Sequence, residues 1–460
     1  MFLNKEENSK LEFYENFFEF ENTYKVFDLN TERGFPFWDI LRYNIFLELL
    51  YGDKINVFEK RSVLSKLKGR IKISVKLLSS LCKLFVLQYQ DFFLSESRIK
   101  DDKELQFDSY FDQVSSLIGK NIYYELNSPT LKYKYYERRV FDVRVIFRKL
   151  GIFTAAISDQ EKKNLNTIVN DIESYFNQKI DCKKYKLLYE DFLFDYNFYH
   201  FILKFKKIKR VFIVQRGLQK ALFLAAKDLN IPTFEFQHGD IVKSTLLYNY
   251  SSLQNINLNS ISFSRYLLTF SKLWTDNKNI PSKCIEIGNE ELSKTVKKSV
   301  CNKNIVIISS PQYSHILKTL AIDISLKYPD NRILFKLHPM EYILFDKYLN
   351  IFKNYTNINL IADQSNMLDL MRICNNFVAV YSTAVYELIQ NNKNIHIYKK
   401  MDYRKFEHTT DIPNIFLFEN INDFSLQKEL KLETNRTHKY PVFFKKFDVE
   451  SFLNVISNQK

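Results

Sequence analysis

The feature that most constrains the fold of this chain is an alternation of short apolar runs and helical stretches between residues 304 and 398. Each run is only a few residues long, which is typical of a strand that is buried on both faces. Strands and helices in alternation predict parallel βαβ units, and therefore an α/β fold with a doubly wound sheet. The predicted strands are 304–308, 333–337, 358–361, 377–380 and 395–398, and the predicted helices are 316–326, a segment ending near 352, 366–372 and 384–390.

A second βαβ unit is predicted in the first half of the chain, where the runs 210–214 and 233–236 flank a helical stretch at 220–229. The apolar runs 92–94 and 122–124 also favour strands. Because 460 residues are too many for one ordinary core, two lobes are expected. We place an N-terminal domain with helical insertions at 1–275, a C-terminal domain at 276–430 and a tail with a short helix at 431–460.

Polar side chains follow two of the predicted strands in the second half. His338 and Pro339 come after one strand, and Ser382 and Thr383 come after another. Hydroxyls, an imidazole and the free N–H groups at a helix start can together receive a phosphate. Helix capping explains each pair equally well when the pairs are taken singly. At neighbouring strand ends of one sheet they favour a shared phosphate site, because ligands of such sheets bind outside the carboxyl ends of the strands.

Four further residues could complete this site. Ser309 and Ser310 follow the strand 304–308, and Lys336 lies two residues before His338. Glu387 lies one helical turn after Thr383 and could accept hydrogen bonds from a ribose. The alternative role for Glu387 is a favourable interaction of its charge with the helix dipole.

The strand 233–236 leads into Gln237-His238-Gly239-Asp240, which is the corresponding strand end of the first half. Gly239 permits a tight turn and a close ligand approach. His238, Asp240 and the nearby Glu235 are candidates for a general base, and Gln237 and Gly239 are candidates for the acceptor side. The alternative for His238 is an ordinary surface histidine in a loop.

The net charge of +14 favours anionic partners such as nucleotide phosphates, acidic glycans or anionic lipid, although biased composition can also produce it. Residues 60–85 combine basic residues with apolar residues at helical spacing. Such a helix can lie on an anionic membrane surface, and the alternative is a solvated helix that docks on the core through its apolar face. The apolar face consists of Leu64, Leu67, Ile71, Val75, Leu78, Cys82 and Phe85.

Several classes of protein lack their sequence marks here. P-loop, dinucleotide-binding, zinc-protease and hydrolase-elbow motifs are absent, and no nucleic-acid-binding motif accompanies the charge. The five cysteines show no C-x-x-C spacing, and no D-x-D follows a strand, so neither a metal nor another cofactor is expected. The early charges at the N-terminus and the lack of a long apolar segment predict a cytoplasmic protein, with or without peripheral attachment to the inner face of the membrane.

Five segments together resemble bacterial capsule and O-antigen glycosyltransferases, a group related to the Kdo-, sialyl- and polyol-phosphate transferases. The resemblance is fullest in the second half of the chain. It rests on Q-H-G at 237–239, I-G-N at 287–289, K-L-H-P at 336–339, Y-S-T-A-V-Y-E at 381–387 and F-P-F-W-D-I-L-R at 35–42.

This resemblance implies a GT-B fold, with two Rossmann-like doubly wound domains that face each other across a cleft. It implies that the C-terminal lobe binds a nucleotide-activated sugar, with a CMP-sugar favoured, and that the N-terminal lobe binds a glycan or lipid-linked acceptor. His338, Pro339, Ser382 and Thr383 would contact the donor phosphate, and Glu387 would contact the nucleotide. The acidic base motif of polysialyltransferases is absent and Q-H-G replaces W-H-G, so the donor stays open. A CDP-polyol phosphotransferase and a non-catalytic nucleotide- or nucleic-acid-binding protein are the alternatives.

Overall fold

The protein consists of two compact units in the computed structural model. The N-terminal unit comprises Glu12–Ile287 and Asp448–Lys460, and the C-terminal unit comprises Gly288–Phe447 together with Met1–Leu11. The structure describes residues 4–29, 31–52, 67–97, 99–101, 103–214, 219–242, 245–251, 256–258, 261–276, 278–296, 304–362, 367–400, 406, 409, 412–426 and 441–458.

The units divide between Ile287 and Gly288, whereas the sequence places the division after residue 275. The difference arises because two strands on either side of residue 275 belong to the N-terminal sheet. The final helix, expected in a separate tail at 431–460, is also part of the N-terminal unit. After Ile287 the chain therefore continues through the C-terminal unit to Phe447 and returns to the N-terminal unit for its last helix, and Met1–Leu11 also group with the C-terminal unit.

The N-terminal unit contains a parallel sheet of seven described strands. Its strands are β1 (Asp91–Ser95), β4 (Asn121–Glu125), β5 (Arg139–Phe141), β6 (Arg210–Val214), β7 (Thr233–Phe236), β8 (Tyr266–Thr269) and β9 (Lys283–Glu286), and a separate antiparallel pair is formed by β2 (Ile99–Lys100) and β3 (Gln106–Phe107). The sheet order is β5-β4-β1-β6-β7-β8-β9. The chain thus begins at the centre, proceeds to one edge and returns to build the other side, as in a doubly wound fold.

Aromatic side chains stack across the middle of this sheet. Phe93, Phe212, Phe234 and Tyr266 lie on four adjacent strands and are paired in register. The ring centroids of neighbouring residues in this row are 4.6 Å (Phe93 to Phe212), 4.8 Å (Phe212 to Phe234) and 5.0 Å (Phe234 to Tyr266) apart. These stacked pairs stabilise the register, because aromatic neighbours on adjacent strands contribute beyond the area that they bury.

The helices of this unit surround the sheet. The fully buried part of its core includes Tyr185, Tyr189, Leu193 and Tyr199 of a long helix that precedes β6. The helices are α1 (Asn4–Thr23), α2 (Phe37–Tyr51), α3 (Leu67–Val86), α4 (Ser109–Ser115), α5 (Arg144–Lys149), α6 (Asp159–Phe176), α7 (Cys182–Phe205), α8 (Lys220–Asp228) and the final helix Val449–Ser457.

The C-terminal unit contains a second parallel sheet, of six described strands. The strands are β10 (Asn304–Ile308), β11 (Arg332–Lys336), β12 (Ile358–Ile361), β13 (Asn376–Ala379), β14 (Asn394–Tyr398) and β15 (Ile415–Phe418), and the helices are α9 (Ser314–Lys327), α10 (Phe345–Phe352), α11 (Met367–Ile373) and α12 (Ala384–Gln390); we number Val449–Ser457 as α13. The order is β12-β11-β10-β13-β14-β15. All neighbouring strands are parallel, so right-handed crossovers place helices on both faces.

The predicted fold class, α/β with two Rossmann-like doubly wound domains, is confirmed by these two sheets. Among the described residues, no helix has the length and the apolar content that a membrane crossing requires.

Candidate functional site

The order of the strands in the C-terminal sheet reverses between β10 and β13. From β10 the chain proceeds through β11 to β12, and it then returns to the opposite side of β10 as β13. The carboxyl ends of β10 and β13 are therefore adjacent, and their following loops diverge to opposite faces. Such a topological switch point is where open α/β sheets bind their ligands. Ser309 and Ser310 follow β10, and Ser382 and Thr383 follow β13 after a short link, so both predicted hydroxyl pairs flank the switch point.

The two serines after β10 differ in exposure. Ser309 is buried, and its N–H donates to the Lys336 carbonyl at 2.9 Å, which fixes the loop against β11. Its hydroxyl forms no hydrogen bond within 3.5 Å among the described residues, and the Tyr348 hydroxyl is a polar neighbour. The Ser310 carbonyl accepts a hydrogen bond from Tyr313 at 2.9 Å, just before α9 begins. The Ser309 hydroxyl is therefore a buried polar group at the switch point, beside the Tyr348 hydroxyl.

The second hydroxyl pair initiates α12. The Ser382 hydroxyl accepts a hydrogen bond from the Ala384 N–H at 3.3 Å, and Thr383 is exposed. Ser382 thus bonds the first N–H of α12, whereas Thr383, the residue before the helix, forms no side-chain capping hydrogen bond. The Ser382 hydroxyl can still form further hydrogen bonds, because a serine oxygen has two lone pairs and a proton to donate.

Glu387 lies one turn into α12 and is half-buried. Its carboxylate forms no hydrogen bond or ion pair with the part of the chain that the structure describes. Burial alone raises the pKa of Glu387 to about 7. A carboxylate that has lost water without gaining a partner favours either a proton or a hydrogen-bond donor from a ligand.

His338 follows β11 on the other side of β10. Its Nδ1 accepts a hydrogen bond from the Met340 N–H at 3.2 Å, and its own N–H donates to Glu341 at 3.1 Å. This capping box starts a 3-10 helix, Pro339–Leu344, which leads directly into α10. Because Nδ1 accepts a hydrogen bond, the neutral imidazole carries its proton on Nε2 and can donate from that atom. Lys336, the last residue of β11, is half-buried.

The Q-H-G segment of the N-terminal unit follows β7. The Gln237 side chain is buried: its amide oxygen accepts the Phe270 N–H at 3.0 Å and its amide nitrogen donates to the Gly239 carbonyl at 2.7 Å. Gln237 therefore ties the end of β7 to the end of β8 and shapes the turn at Gly239. Gln237 thus supports the loop from the buried side, and Gly239 is partly exposed to solvent.

The three candidate bases differ in environment. Glu235 is buried within β7, where its carboxylate accepts hydrogen bonds from Tyr248 at 2.7 Å and from Ser264 at 3.1 Å. Asp240 is also buried. Burial lowers the pKa of Lys278, and the negative charge of Asp240 opposes this shift in part. His238 is half-buried. Of the three, His238 is the most exposed.

A buried polar cluster that the sequence analysis missed lies at the carboxyl ends of β1 and β4. Glu125 forms an ion pair with Arg139, and the Ser97 hydroxyl donates to Glu125 at 2.8 Å. The Ser95 hydroxyl donates to the same carboxylate at 3.2 Å. This cluster is beside the switch point of the N-terminal sheet, which lies between β1 and β6. Because Arg139 and Glu125 are distant from Ser95 in sequence, no local sequence motif predicts this cluster.

The F-P-F-W-D-I-L-R segment has a structural role in the same unit. Asp39 accepts hydrogen bonds from the Ser262 N–H at 3.0 Å and from the Tyr250 hydroxyl at 2.9 Å. Arg42 forms a bidentate pair with Glu21 and donates to the Leu246 carbonyl at 2.7 Å. Since Leu246, Tyr250 and Ser262 belong to the chain that follows Q-H-G-D, α2 anchors the loop that carries His238.

No group of three or more His, Cys, Asp or Glu side chains that could hold a metal ion occurs among the residues that the structure describes. The candidate site is thus a set of hydroxyls, an imidazole and a carboxylate at strand ends, and phosphate binding by such groups needs no protein-bound ion.

No protein-family model and no curated protein sequence matches the chain. Solved structures do align with it. UDP-GlcNAc 2-epimerase from Methanocaldococcus jannaschii is 11% identical, with 80% of this chain and 99% of that chain covered and a TM-score of 0.43. MurG from Acinetobacter baumannii is 11% identical, with 73% and 87% covered and a TM-score of 0.38. HepE from Anabaena, solved with UDP and glucose, is 10% identical, with 73% and 87% covered and a TM-score of 0.38. Identities this low carry no activity from those proteins to this chain.

Proposed function

We propose that this protein is an inverting, metal-independent glycosyltransferase that binds a nucleotide-activated sugar at the carboxyl edge of the C-terminal sheet. The observation that carries the proposal is the pairing of hydroxyls across the switch point, Ser309 and Ser310 on one side and Ser382 and Thr383 on the other. The resemblance in sequence favours a CMP-sugar as donor, and a glycan or lipid-linked acceptor in the synthesis of capsule, O-antigen or lipopolysaccharide.

In this proposal the donor phosphate lies between the two loops. The hydroxyls of Ser309, Ser382 and Thr383 and the Nε2–H of His338 donate hydrogen bonds to its oxygens. Hydrogen bonds to a charged group contribute about 1.5–3 kcal/mol each, and preorganised donors stabilise the charge that develops on a leaving phosphate. Glu387 accepts a hydrogen bond from a ribose hydroxyl, and its carboxylate, whose pKa is raised by burial to about 7, thereby gains a partner that none of the described residues provides.

The proposed reaction is a direct displacement at the anomeric carbon. A general base, for which we propose His238, removes the proton from an acceptor hydroxyl as that oxygen forms its bond to the anomeric carbon. The bond from this carbon to the phosphate oxygen breaks at the same time, and the nucleotide leaves with the bonding electrons. Proton transfer by a positioned side chain contributes about 10²- to 10⁴-fold to the rate. His238→Gln should therefore lower kcat by at least about a hundredfold and leave nucleotide affinity unchanged.

The experiment that tests the donor site is a calorimetric titration with CMP, CDP, UDP and GDP. Wild type should bind one of them in preference, and Ser382→Ala should weaken that binding. His338→Ala removes both the imidazole and a helix cap, so it should lose affinity and also about 1 kcal/mol of stability. His338→Asn is the matched control, because asparagine is a strong cap and lacks the imidazole: it should recover the stability without recovering the affinity.

The expected loss of affinity is about 10- to 150-fold, the range for one hydrogen bond to a charged group. Wild-type affinity in both His338 variants would show that the imidazole does not contact the nucleotide. If none of the four nucleotides binds, the donor site itself is wrong. A substituted glycan that retains phosphorus from the donor would identify the transfer of a polyol phosphate instead of a sugar.

A further inference from the structure

Helix α3 docks on the N-terminal sheet through a different face from the apolar face that the sequence indicates. The docked side includes buried Leu84 and Ser80, whose hydroxyl accepts the Phe141 N–H of β5 at 3.1 Å. Of the predicted apolar face, Val75 and Leu78 are 61% and 57% exposed, and Cys82 is exposed as well. Residues 60–66 lie outside the described residues, as do the side chains of Leu67 and Ile71. An apolar row that faces water along about two helical turns, from Val75 to Cys82, is unusual for a monomer and indicates a binding surface.

The exposed row continues onto neighbouring elements of the same unit. Val86, at the end of α3, is 76% exposed. The adjacent Phe85 ring lies 5.6 Å from the ring of Phe205, which is 54% exposed, and the exposed Phe201 lies one turn earlier on α7. Leu150, which follows α5, is 65% exposed. We call Val75, Leu78, Val86, Phe201, Phe205 and Leu150 the apolar surface.

Lys and Arg residues occur on all three segments that carry this surface, and no Asp or Glu lies within those segments. Acidic residues just outside them, Asp142, Asp191 and Asp195, form ion pairs with Arg144 and Arg148. Residues 67–90, 143–158 and 196–210 contain five, three and five Lys or Arg residues, respectively, and no Asp or Glu. Lys204, Lys207 and Lys209 are exposed and form no ion pair with any residue that the structure describes. The long stems of such lysines can lie along an apolar layer while the ammonium groups reach its charged boundary.

We propose that the apolar surface docks onto an anionic lipid bilayer, with Phe201, Phe205, Leu78 and Val86 in the boundary region and the lysines at the headgroups. Charge decides between the possible occupants. A second copy of the chain would bring two surfaces of the same positive sign together, which opposes a symmetric dimer. An anionic bilayer attracts the lysines and accepts the apolar side chains at once.

The surface is separate from the proposed substrate residues of the same unit. The ends of α3 and α7 lead into the amino ends of β1 and β6, whereas His238 follows the carboxyl end of β7. Because the strands are parallel, these are opposite edges of the sheet. The surface can therefore be altered without touching the candidate base, and its test does not depend on the proposed transfer reaction.

The test is co-sedimentation of the full chain with vesicles of pure phosphatidylcholine and with vesicles that contain about 30% phosphatidylglycerol, at about 0.1 M salt. The wild type should bind the anionic vesicles and not the neutral ones. Each basic residue near such a surface contributes about 1 kcal/mol, or about fivefold in affinity. Lys204→Gln/Lys207→Gln/Lys209→Gln should therefore weaken binding about a hundredfold. Leu78→Ser/Phe205→Ser should weaken it at least about tenfold by removing apolar insertion.

Leu326→Ser/Lys347→Gln is the matched control, since it removes an exposed leucine and an exposed lysine from the C-terminal unit. It should bind vesicles like wild type. The thermal unfolding of the lysine and control variants should be unchanged because the replaced side chains are exposed, and a cooperative unfolding transition should show that Leu78→Ser/Phe205→Ser stays folded although it loses the ring contact between Phe205 and Phe85. The proposal is overturned if wild type does not bind anionic vesicles, if it binds neutral and anionic vesicles equally well, or if the surface variants bind anionic vesicles as well as the control does. A dimer in solution that dissociates in Leu78→Ser/Phe205→Ser, without vesicle binding, would assign the surface to a second copy. Nucleotide titration of the same variants should match wild type.

Discussion

Replacing Glu387 by glutamine should make the protein more stable at neutral pH, although it removes a side chain that we assign to the nucleotide site. Burial raises the pKa of this carboxyl from 4.5 to about 7, and no described residue offers its carboxylate a hydrogen bond or an opposite charge. The ionised form is therefore destabilised in the folded protein relative to the unfolded chain. Glutamine has nearly the same shape and has no charge to bury.

Proton linkage gives the sign and the size of the difference in unfolding free energy between Glu387→Gln and wild type. Between pH of about 4.5 and about 7 the folded protein holds a proton on Glu387 that the unfolded chain has released, so the free energy of unfolding falls as pH rises. A pKa difference of about 2.5 corresponds to about 3 kcal/mol at 1.36 kcal/mol per pKa unit, and the partial exposure of the side chain makes this an upper bound. Glu387→Gln should match wild type near pH 4.5 and exceed it by up to about 3 kcal/mol above pH 7.

Denaturant unfolding of the C-terminal unit at a series of pH values, from about 5 to about 8, measures this difference. Asp330→Asn, at an exposed turn of the same unit, is the control and should follow the wild-type curve. The reasoning is refuted if Glu387→Gln is less stable than wild type at about pH 8, because that result requires a favourable partner for the charge. A second readout concerns function: wild type should bind the preferred ribonucleotide more tightly than its 2′-deoxy or 3′-deoxy form, and Glu387→Gln should lose that preference.

Further predictions concern the backbone at Gly288 and the buried pair of α2. Gly288 has φ of +73°, and a Cβ atom there would lie 2.2 Å from the Lys446 carbonyl oxygen, so Gly288→Ala should cost about 3 kcal/mol in denaturant unfolding. Gly151→Ala is its control, because φ is +68° with nothing within 4 Å, and only the conformational cost of about 1 kcal/mol should remain. Arg42→Met should destabilise the N-terminal unit by about 3–5 kcal/mol by leaving the Glu21 carboxylate buried and unpaired, and adding Glu21→Leu should restore much of that loss in the same assay. Equal stability of the single and double variants would contradict the assignment of the cost to an unpaired charge.

Five of the six described strands of the C-terminal sheet could be predicted from the sequence, because the inner strands β10, β11, β13 and β14 are mostly buried; the edge strand β15 was not predicted. The predicted runs 304–308 and 358–361 coincide with β10 and β12, and the predicted helix 384–390 coincides with α12. Continuous apolar runs and helical periodicity are local signals that survive without knowledge of the fold. The switch point required one further step, the order of the strands, which only the structure provides.

The N-terminal unit shows where local signals end. The strand β9 was missed because it lies at the edge of the sheet and its residues, Lys283–Glu286, show no continuous apolar run. The sequence also does not predict that Gln237 links two strand ends, because its amide oxygen is bound by the N–H of Phe270, which follows a different strand. Glu235 is a candidate base by its position in the sequence, and its hydrogen bonds to Tyr248 and Ser264 come from residues whose proximity only the fold creates.

Helix α3 illustrates a limit of a different kind, because its sequence contains two apolar faces. One includes Ser80 and Leu84 and docks on β5, and the other includes Val75 and Leu78 and faces water. Periodicity detects that apolar residues recur, but it does not identify what covers them. The exposed Lys204, Lys207 and Lys209, which form no ion pair with a described residue, supply the missing information, because they attract an anionic partner to the exposed face. The exposed face and the surrounding charge together define a surface whose partner must be both anionic and apolar, and an anionic bilayer has both properties.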